Sequence, residues 1–280
     1  MKNKIFIGIL SVIIIIFLLQ IQFKNLNSIE SVTKFDDNKK EVNIYTEVRK
    51  TPKYTEANIP IFMYHLIDEK YKFGLDIGMT VKTSMLESQL KYISENGYQT
   101  LMFDELQNIH SYTKPVILTF DDGWGDFYDN AYPLLKKYNQ KATLFIITGY
   151  VNGENYCNIY ELLEMQNSGL VDVEPHTVTH KQLATISSND VHYQIGESVK
   201  YIEDNMNKAT KVLCYPVGSN NKNVSNITSQ YLSYGLEMSG GVYNTKRHNQ
   251  YAIPRIYASG RMSLNSYIYY LKKSNVIVNW

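Results

Sequence analysis

The sequence predicts an α/β domain of repeated β-α units, a distorted or incomplete (β/α) barrel, preceded by an N-terminal transmembrane helix. Three observations predict it. From Ile59 onward, short β-branched and aromatic runs alternate with longer amphipathic stretches. Roughly seven or eight such units fit into ~220 residues, the scale of a barrel related to the TIM architecture, with a doubly wound open sheet as the alternative. Ahead of them, residues Ile5 to Phe23 form an apolar run with no charge inside it.

That run, IFIGILSVIIIIFLLQIQF, lies between Lys2 and Lys4 on one side and Lys24 on the other. As a helix it is about 28 Å long, close to the hydrocarbon thickness of a bilayer. Isoleucines surround every face, which excludes a buried amphipathic helix. No Ala-x-Ala-like pair follows, so residues 1–23 read as an uncleaved signal anchor, with a cleaved secretory signal as the alternative. The basic residues stay inside, and the rest of the chain then lies outside the cytoplasmic membrane, or is secreted if the segment is cleaved. Residues 24–57, rich in Lys, Asp, Glu, Asn and Thr, read as an extracytoplasmic linker. Residues 58–280 form the exported domain.

In that domain the candidate strands are Ile61–Tyr64, Gln99–Phe103, Val116–Phe120, Ala142–Ile147, Leu170–Glu174, Lys211–Tyr215, Tyr234–Glu237 and Arg255–Ala258. Helical patterns fall between them at Thr83–Asn96, Asp126–Tyr138, Ile159–Ser168, Asn189–Asn207, Asn223–Ser233 and Leu264–Lys273. With 44% hydrophobic and 20% charged residues among 280, the chain is too apolar for disorder. The 28 Lys and Arg against 27 Asp and Glu form no basic block, which argues against a nucleic-acid partner. Cys157 and Cys214 make at most one disulfide and match no zinc-knuckle spacing. The 24 tyrosines suit a carbohydrate-facing surface as well as an ordinary core.

In such architectures chemistry gathers at the C-terminal ends of strands. There the chain places His65 after the first strand, Asp121-Asp122-Gly123 after the third and His176 and His180 after the fifth. Adjacent carboxylates on extended backbone face different ways, so one can bind a cation while its neighbour serves another part of the site. Histidines at i, i+4 spacing fall on one side of a helical turn and can share a metal. Two His and one Asp suit Zn²⁺, with Co²⁺, Ni²⁺, Fe²⁺ or Mn²⁺ as alternatives, and leave a position for water. Each motif alone has a plainer explanation, since Asp-Asp-Gly is commonly a turn or cap and His pairs are often structural. Their coincidence at successive strand ends favours chemistry. No Gly-x-Ser-x-Gly occurs, which disfavours a serine esterase, and no carboxylate pair suggests a glycosidase as strongly.

The strings TFDDG (Thr119–Gly123) and HTVTH (His176–His180), with MYHLI (Met63–Ile67), CYPVG (Cys214–Gly218) and PRI (Pro254–Ile256), resemble the NodB-homology polysaccharide deacetylases, carbohydrate esterase family 4. The resemblance spans Ile59 to Ser274. It implies Asp121 as catalytic base, with Asp122, His176 and His180 as metal ligands. The backbone N–H of Tyr215 becomes an oxyanion donor, a kind of contact worth ~3 kcal/mol. Cys214 stands where the family's third motif usually has Arg, and no histidine follows His248 to supply the usual C-terminal acid. The chain therefore is similar to the permuted branch that includes poly-β-1,6-N-acetylglucosamine deacetylases, which makes His65 the general acid. Arg255 either orients Asp121 through an ion pair or covers the barrel rim structurally. Trp124 and Tyr64, beside strand ends, are candidates to stack on sugar rings. The implied activity is metal-dependent removal of N-acetyl groups from an envelope or biofilm polysaccharide, poly-β-1,6-N-acetylglucosamine or peptidoglycan. A non-catalytic, membrane-anchored glycan-binding module is the alternative.

Overall fold

The computed structural model describes residues 54–70 and 78–279. The expected transmembrane segment lies outside the described residues, and no described helix is long and apolar enough to cross a membrane. In chain order the strands are β1 (Tyr54–Ile59), β2 (Ile61–Tyr64), β3 (Leu66–Ile67), β4 (Thr80–Val81), β5 (Gln99–Thr100), β6 (Pro115–Phe120), β7 (Ala142–Ile146), β8 (Val171–Pro175), β9 (Val212–Cys214), β10 (Tyr234–Leu236), β11 (Tyr243–Asn244), β12 (Ile256–Tyr257) and β13 (Asn275–Asn279). The helices are α1 (Thr83–Glu95), α2 (Tyr132–Tyr138), α3 (Ile159–Asn167), α4 (Ser188–Met206), α5 (Lys222–Thr228) and α6 (Leu264–Leu271).

A six-stranded parallel sheet, ordered β12-β2-β6-β7-β8 with β5 beside β6, carries the fold. Every residue of β6 and β7 is buried, as expected of parallel strands covered on both faces. Alternation divides each strand between two cores. Phe62, Leu118, Leu144 and Val173 pack in the same cluster as Leu86, Leu90 and Tyr267 of the helices. Ile61, Ile117 and Phe145 pack instead with Val212, Cys214, Leu236 and Ile253.

Among the described residues no closed barrel ladder forms: β9 and β10 make a two-stranded sheet apart from the six-stranded one. Between β8 and β9 the buried Glu174 carboxylate takes the place of a ladder, accepting the N–H groups of Lys211 at 2.9 Å and Val212 at 3.1 Å. Lys208 bonds the same carboxylate at 2.8 Å and also contacts Asp172. Burial pulls the Lys208 pKa down, but Glu174 and Asp172 outweigh it and keep the ammonium charged. On the other side, β10 reaches the segment just before β12 by the isolated bridge Leu236–Ile253.

Local signals terminate the elements. Asn158 and Glu161 form a reciprocal capping box on α3, and Ser187 caps α4, which ends at left-handed Asn207. Strand β1 extends into the segment read as linker, because residues 54–58 pair with β13 and residues 58–59 with β11. The expected strand Gln99–Phe103 keeps only two residues, and Phe103–Ser111 turns into a 3₁₀ helix. The helix expected at Asp126–Tyr138 opens as a π-turn over Phe127–Ala131.

Candidate active site

Strand ends bring Asp121 and Asp122 from β6, His176 and His180 from the segment after β8, His65 from β2 and Arg255 from just before β12 into one cluster. Left-handed backbone at Asp122 (φ 77°) and Gly123 (φ 80°) turns the chain sharply after β6 and sends the two carboxylates apart. Asp122 Oδ1 lies 3.4 Å from His176 Nε2 and 3.5 Å from His180 Nε2.

A tetrahedral ion with bonds of about 2.0–2.1 Å sets its donors roughly 3.4 Å apart. The three side chains therefore fit a divalent metal. His176 Nδ1 lies 2.8 Å from the Cys214 carbonyl, which can only accept, so Nδ1 carries the proton and Nε2 presents its lone pair to the ligand position. Burial lowers the His180 pKa and favours the neutral imidazole that a metal needs. The i, i+4 spacing does not act through a helical turn as expected. Thr177 (φ 69°) and His180 (φ 57°) are left-handed, and the segment is an irregular loop that still brings the two imidazole centroids to 4.9 Å.

Asp121 faces the other way. Arg255 Nη1 donates to Oδ1 at 2.7 Å and Nη2 to Oδ2 at 2.8 Å, a bidentate pair with side chains 0% and 2% exposed. Burial pushes the Asp121 pKa up, yet the Arg255 charge and hydrogen bonds, followed by His65 and His176, hold it well below the usual carboxylate range. Of the two readings of Arg255, the structure supports the ion pair. Arg255 Nε donates to the Glu237 carbonyl at 3.1 Å, and Nη1 also meets Thr119 Oγ1 at 3.1 Å, which fixes the guanidinium plane. His65 Nε2 stands 4.0 Å from Asp121 Oδ2, and its buried Nδ1 has no partner among the described residues. Cys214 takes a hydrogen bond from Arg255 Nη2 at 3.0 Å and lies 3.4 Å from Asp121 Oδ2. Burial pushes its thiol pKa up, and both cysteines are free.

A family model for polysaccharide deacetylases matches residues 109–235. The poly-β-1,6-N-acetyl-D-glucosamine N-deacetylase of Staphylococcus aureus is 33% identical over 198 residues, covering 64% of this chain and 68% of that protein. The chain belongs to the polysaccharide deacetylase family. Among solved structures, a Bacillus cereus polysaccharide deacetylase superposes with a TM-score of 0.73 at 26% identity, over 77% of this chain and 69% of that one. The Streptococcus pyogenes deacetylase PplD, solved with acetate, gives 0.71 at 28% identity over 79% of this chain and 99% of its own.

Within this deacetylase, the expectations for Tyr64 and Tyr215 change, and Trp124 gains a contact. Tyr64 cannot stack on a sugar: it is fully buried on the helix side of β2, stacked on Phe120 at 4.7 Å, with its hydroxyl donating to Gln89 Oε1 at 2.8 Å. The Tyr215 N–H cannot hold an oxyanion, because it donates to the Leu236 carbonyl at 3.1 Å in the β9–β10 pair. Pro216 has no N–H, and those of Gly218 and Ser219 donate to Tyr215 and Pro216. Val217 carries the remaining amide of this loop, on a β-branched residue held at φ 49° and 54% exposed. Such strain persists where the surrounding structure requires it. The proline in CYPVG was the available signal that the free amide lies two residues beyond Tyr215. Trp124 has a further role that the sequence did not suggest. Its indole N–H donates to Asp122 Oδ2 at 3.0 Å, while one ring face stacks on Tyr156 at 4.6 Å.

Proposed function

We propose that the chain is a metal-dependent N-deacetylase of an N-acetylglucosamine-containing envelope or biofilm polysaccharide, with poly-β-1,6-N-acetylglucosamine as the first candidate and peptidoglycan as the second. The observation that carries this reading is the division of the two adjacent carboxylates: Asp122 joins two histidines at metal-ligand separations, while Asp121 is held apart and ionised by Arg255. The similarity to the staphylococcal enzyme supports the polymer.

Asp122, His176 and His180 would hold Zn²⁺, or Co²⁺, Ni²⁺, Fe²⁺ or Mn²⁺. A bound ion of this kind supplies Lewis acidity toward the acetamide carbonyl and acidifies a water. The chain's own residues do the rest. Asp121, ionised throughout the working pH range, accepts the proton of the attacking water. His65, 4.0 Å from Asp121, protonates the leaving amine as the C–N bond breaks and acetate departs. The Val217 amide is the backbone donor for the developing oxyanion. The face of half-buried Trp124 turned away from Tyr156 is the surface offered to a sugar ring. The apolar run Ile5–Phe23 supports tethering to the cytoplasmic membrane with the catalytic domain outside.

The test is acetate release by residues 50–280 from poly-β-1,6-N-acetylglucosamine, peptidoglycan and chitooligomers, before and after metal stripping and restoration, beside Asp121→Asn. Metal-dependent acetate that disappears in Asp121→Asn supports the proposal and ranks the polymers. Folded, metal-loaded protein that releases no acetate from any of them refutes it in favour of glycan binding without catalysis.

A further inference from the structure

The loop that carries both histidine ligands has no regular secondary structure, so something else must fix the second histidine relative to the first. Its backbone groups can be followed one by one. His176 N–H donates to the Ile146 carbonyl at 2.8 Å, which continues the β7–β8 ladder. The carbonyls of Thr177 and Val178 accept from the N–H groups of Thr148 at 3.1 Å and Gly149 at 2.9 Å. Gly149 is required there, since a Cβ would sit 2.5 Å from the Val178 carbonyl oxygen. His180 N–H turns back to Thr177 Oγ1 at 3.0 Å. The N–H groups of Val178 and Thr179 have no backbone acceptor. Both donate to one side-chain oxygen, Gln194 Oε1, at 3.1 and 3.0 Å, and Gln194 Nε2 returns a bond to Thr179 Oγ1 at 2.9 Å.

Gln194 lies in the buried stripe of α4, with Val191, Ile195, Ser198, Val199 and Ile202. A long polar side chain at a core-facing position is costly unless its amide is satisfied, and all the hydrogen bonds found for it go to the segment between the two ligands. We propose that Gln194 is a positioning residue for the metal centre, clamping the strained Thr177–His180 turn so that His180 Nε2 meets Asp122 and His176 at ligand spacing. The inference rests on the reading of Asp122, His176 and His180 as metal ligands. The clamp acts on the loop that bears His180 and contacts neither the ion nor the substrate. His180 needs such help because its side chain is 32% exposed, against 2% for His176, so less packing fixes its ring.

The experiment measures the Zn²⁺ dissociation constant of the metal-stripped full chain by competition with a chromogenic chelator, for wild type, Gln194→Leu, Gln194→Glu and Thr179→Val. Outer partners of metal ligands typically contribute about 10–100-fold to affinity. Gln194→Leu, which removes all three bonds, is expected to weaken Zn²⁺ binding by about that factor. Gln194→Glu, which keeps the shared acceptor and loses the donor, should fall between Leu and wild type. Thr179→Val, at an exposed position, removes only the return bond and should weaken binding the least. It also keeps the test open if Gln194→Leu does not fold. A merely structural role would lower the melting temperature of the metal-free protein and leave the order of Zn²⁺ affinities flat. Affinities within about twofold of wild type across the folded variants would overturn the inference and leave the metal reading standing. No Zn²⁺ binding by wild type would overturn both.

Discussion

Replacing Arg255 with methionine tests the charge arrangement most directly. The substitution keeps an unbranched apolar stem and removes the guanidinium, which makes two bonds to Asp121 and one each to Thr119, Cys214 and Glu237. Because the paired side chains are 0% and 2% exposed, water cannot take over as partner. Leaving one charge of a buried pair alone costs about 3–5 kcal/mol, far more than a surface pair would. The pH dependence follows from the direction of the shift. The Asp121 pKa is lower in the folded than in the unfolded chain, so its contribution is fully present above the unfolded value of about 4 and is lost as pH falls toward the folded one. The cost of Arg255→Met, measured by denaturant unfolding, should therefore be largest at neutral pH and shrink below about pH 4. Adding Asp121→Asn to Arg255→Met should recover about 2 kcal/mol or more, since no unpaired charge is left buried. A cost below about 1 kcal/mol at pH 7, or one that is the same at pH 3 and pH 7, would refute the assignment of a desolvated ion pair that holds Asp121 ionised.

Trp124→Phe keeps an aromatic ring for Tyr156 and deletes the indole N–H held by Asp122 Oδ2. It is expected to weaken Zn²⁺ binding about tenfold in a chelator competition, with little change in the metal-free melting temperature. Starting a soluble fragment at Asn58 instead of residue 50 removes the pairing of residues 54–57 with Ile277, Val276, Val278 and Asn279. At roughly 1 kcal/mol per hydrogen bond the shorter fragment should melt at least about 5 °C lower by calorimetry.

The side chains proposed as metal ligands and base were legible in the sequence for a local reason. Parallel strands buried on both faces read as continuous apolar runs, so the polar residues where such a run stops stand out, as Asp121 and Asp122 do at the end of β6. The ligand spacing was legible too, although the conformation that realises it was not: a helical turn and the observed left-handed loop both bring residues 176 and 180 together. Tyr64 shows how narrow the margin is. It neighbours His65 in sequence, but alternation turns its ring toward α1 and away from the site.

What the sequence by itself determined is the family, the repeated β-α plan and the side chains able to bind a metal and move a proton, because these depend on residue type and short spacing. What only the tertiary structure decided is which partners complete them. Arg255 meets Asp121 across 134 residues, Glu174 stitches β8 to β9 across 37, and Gln194 reaches the ligand loop from α4. The Tyr215 amide is consumed by Leu236 in a strand pair, while Val217 two residues on is exposed. Each of these pairings depends on strand register and helix docking, which are set cooperatively by burial over the whole domain. A one-residue change in strand register would turn the strand-borne side chains among them to the other face without altering a single motif.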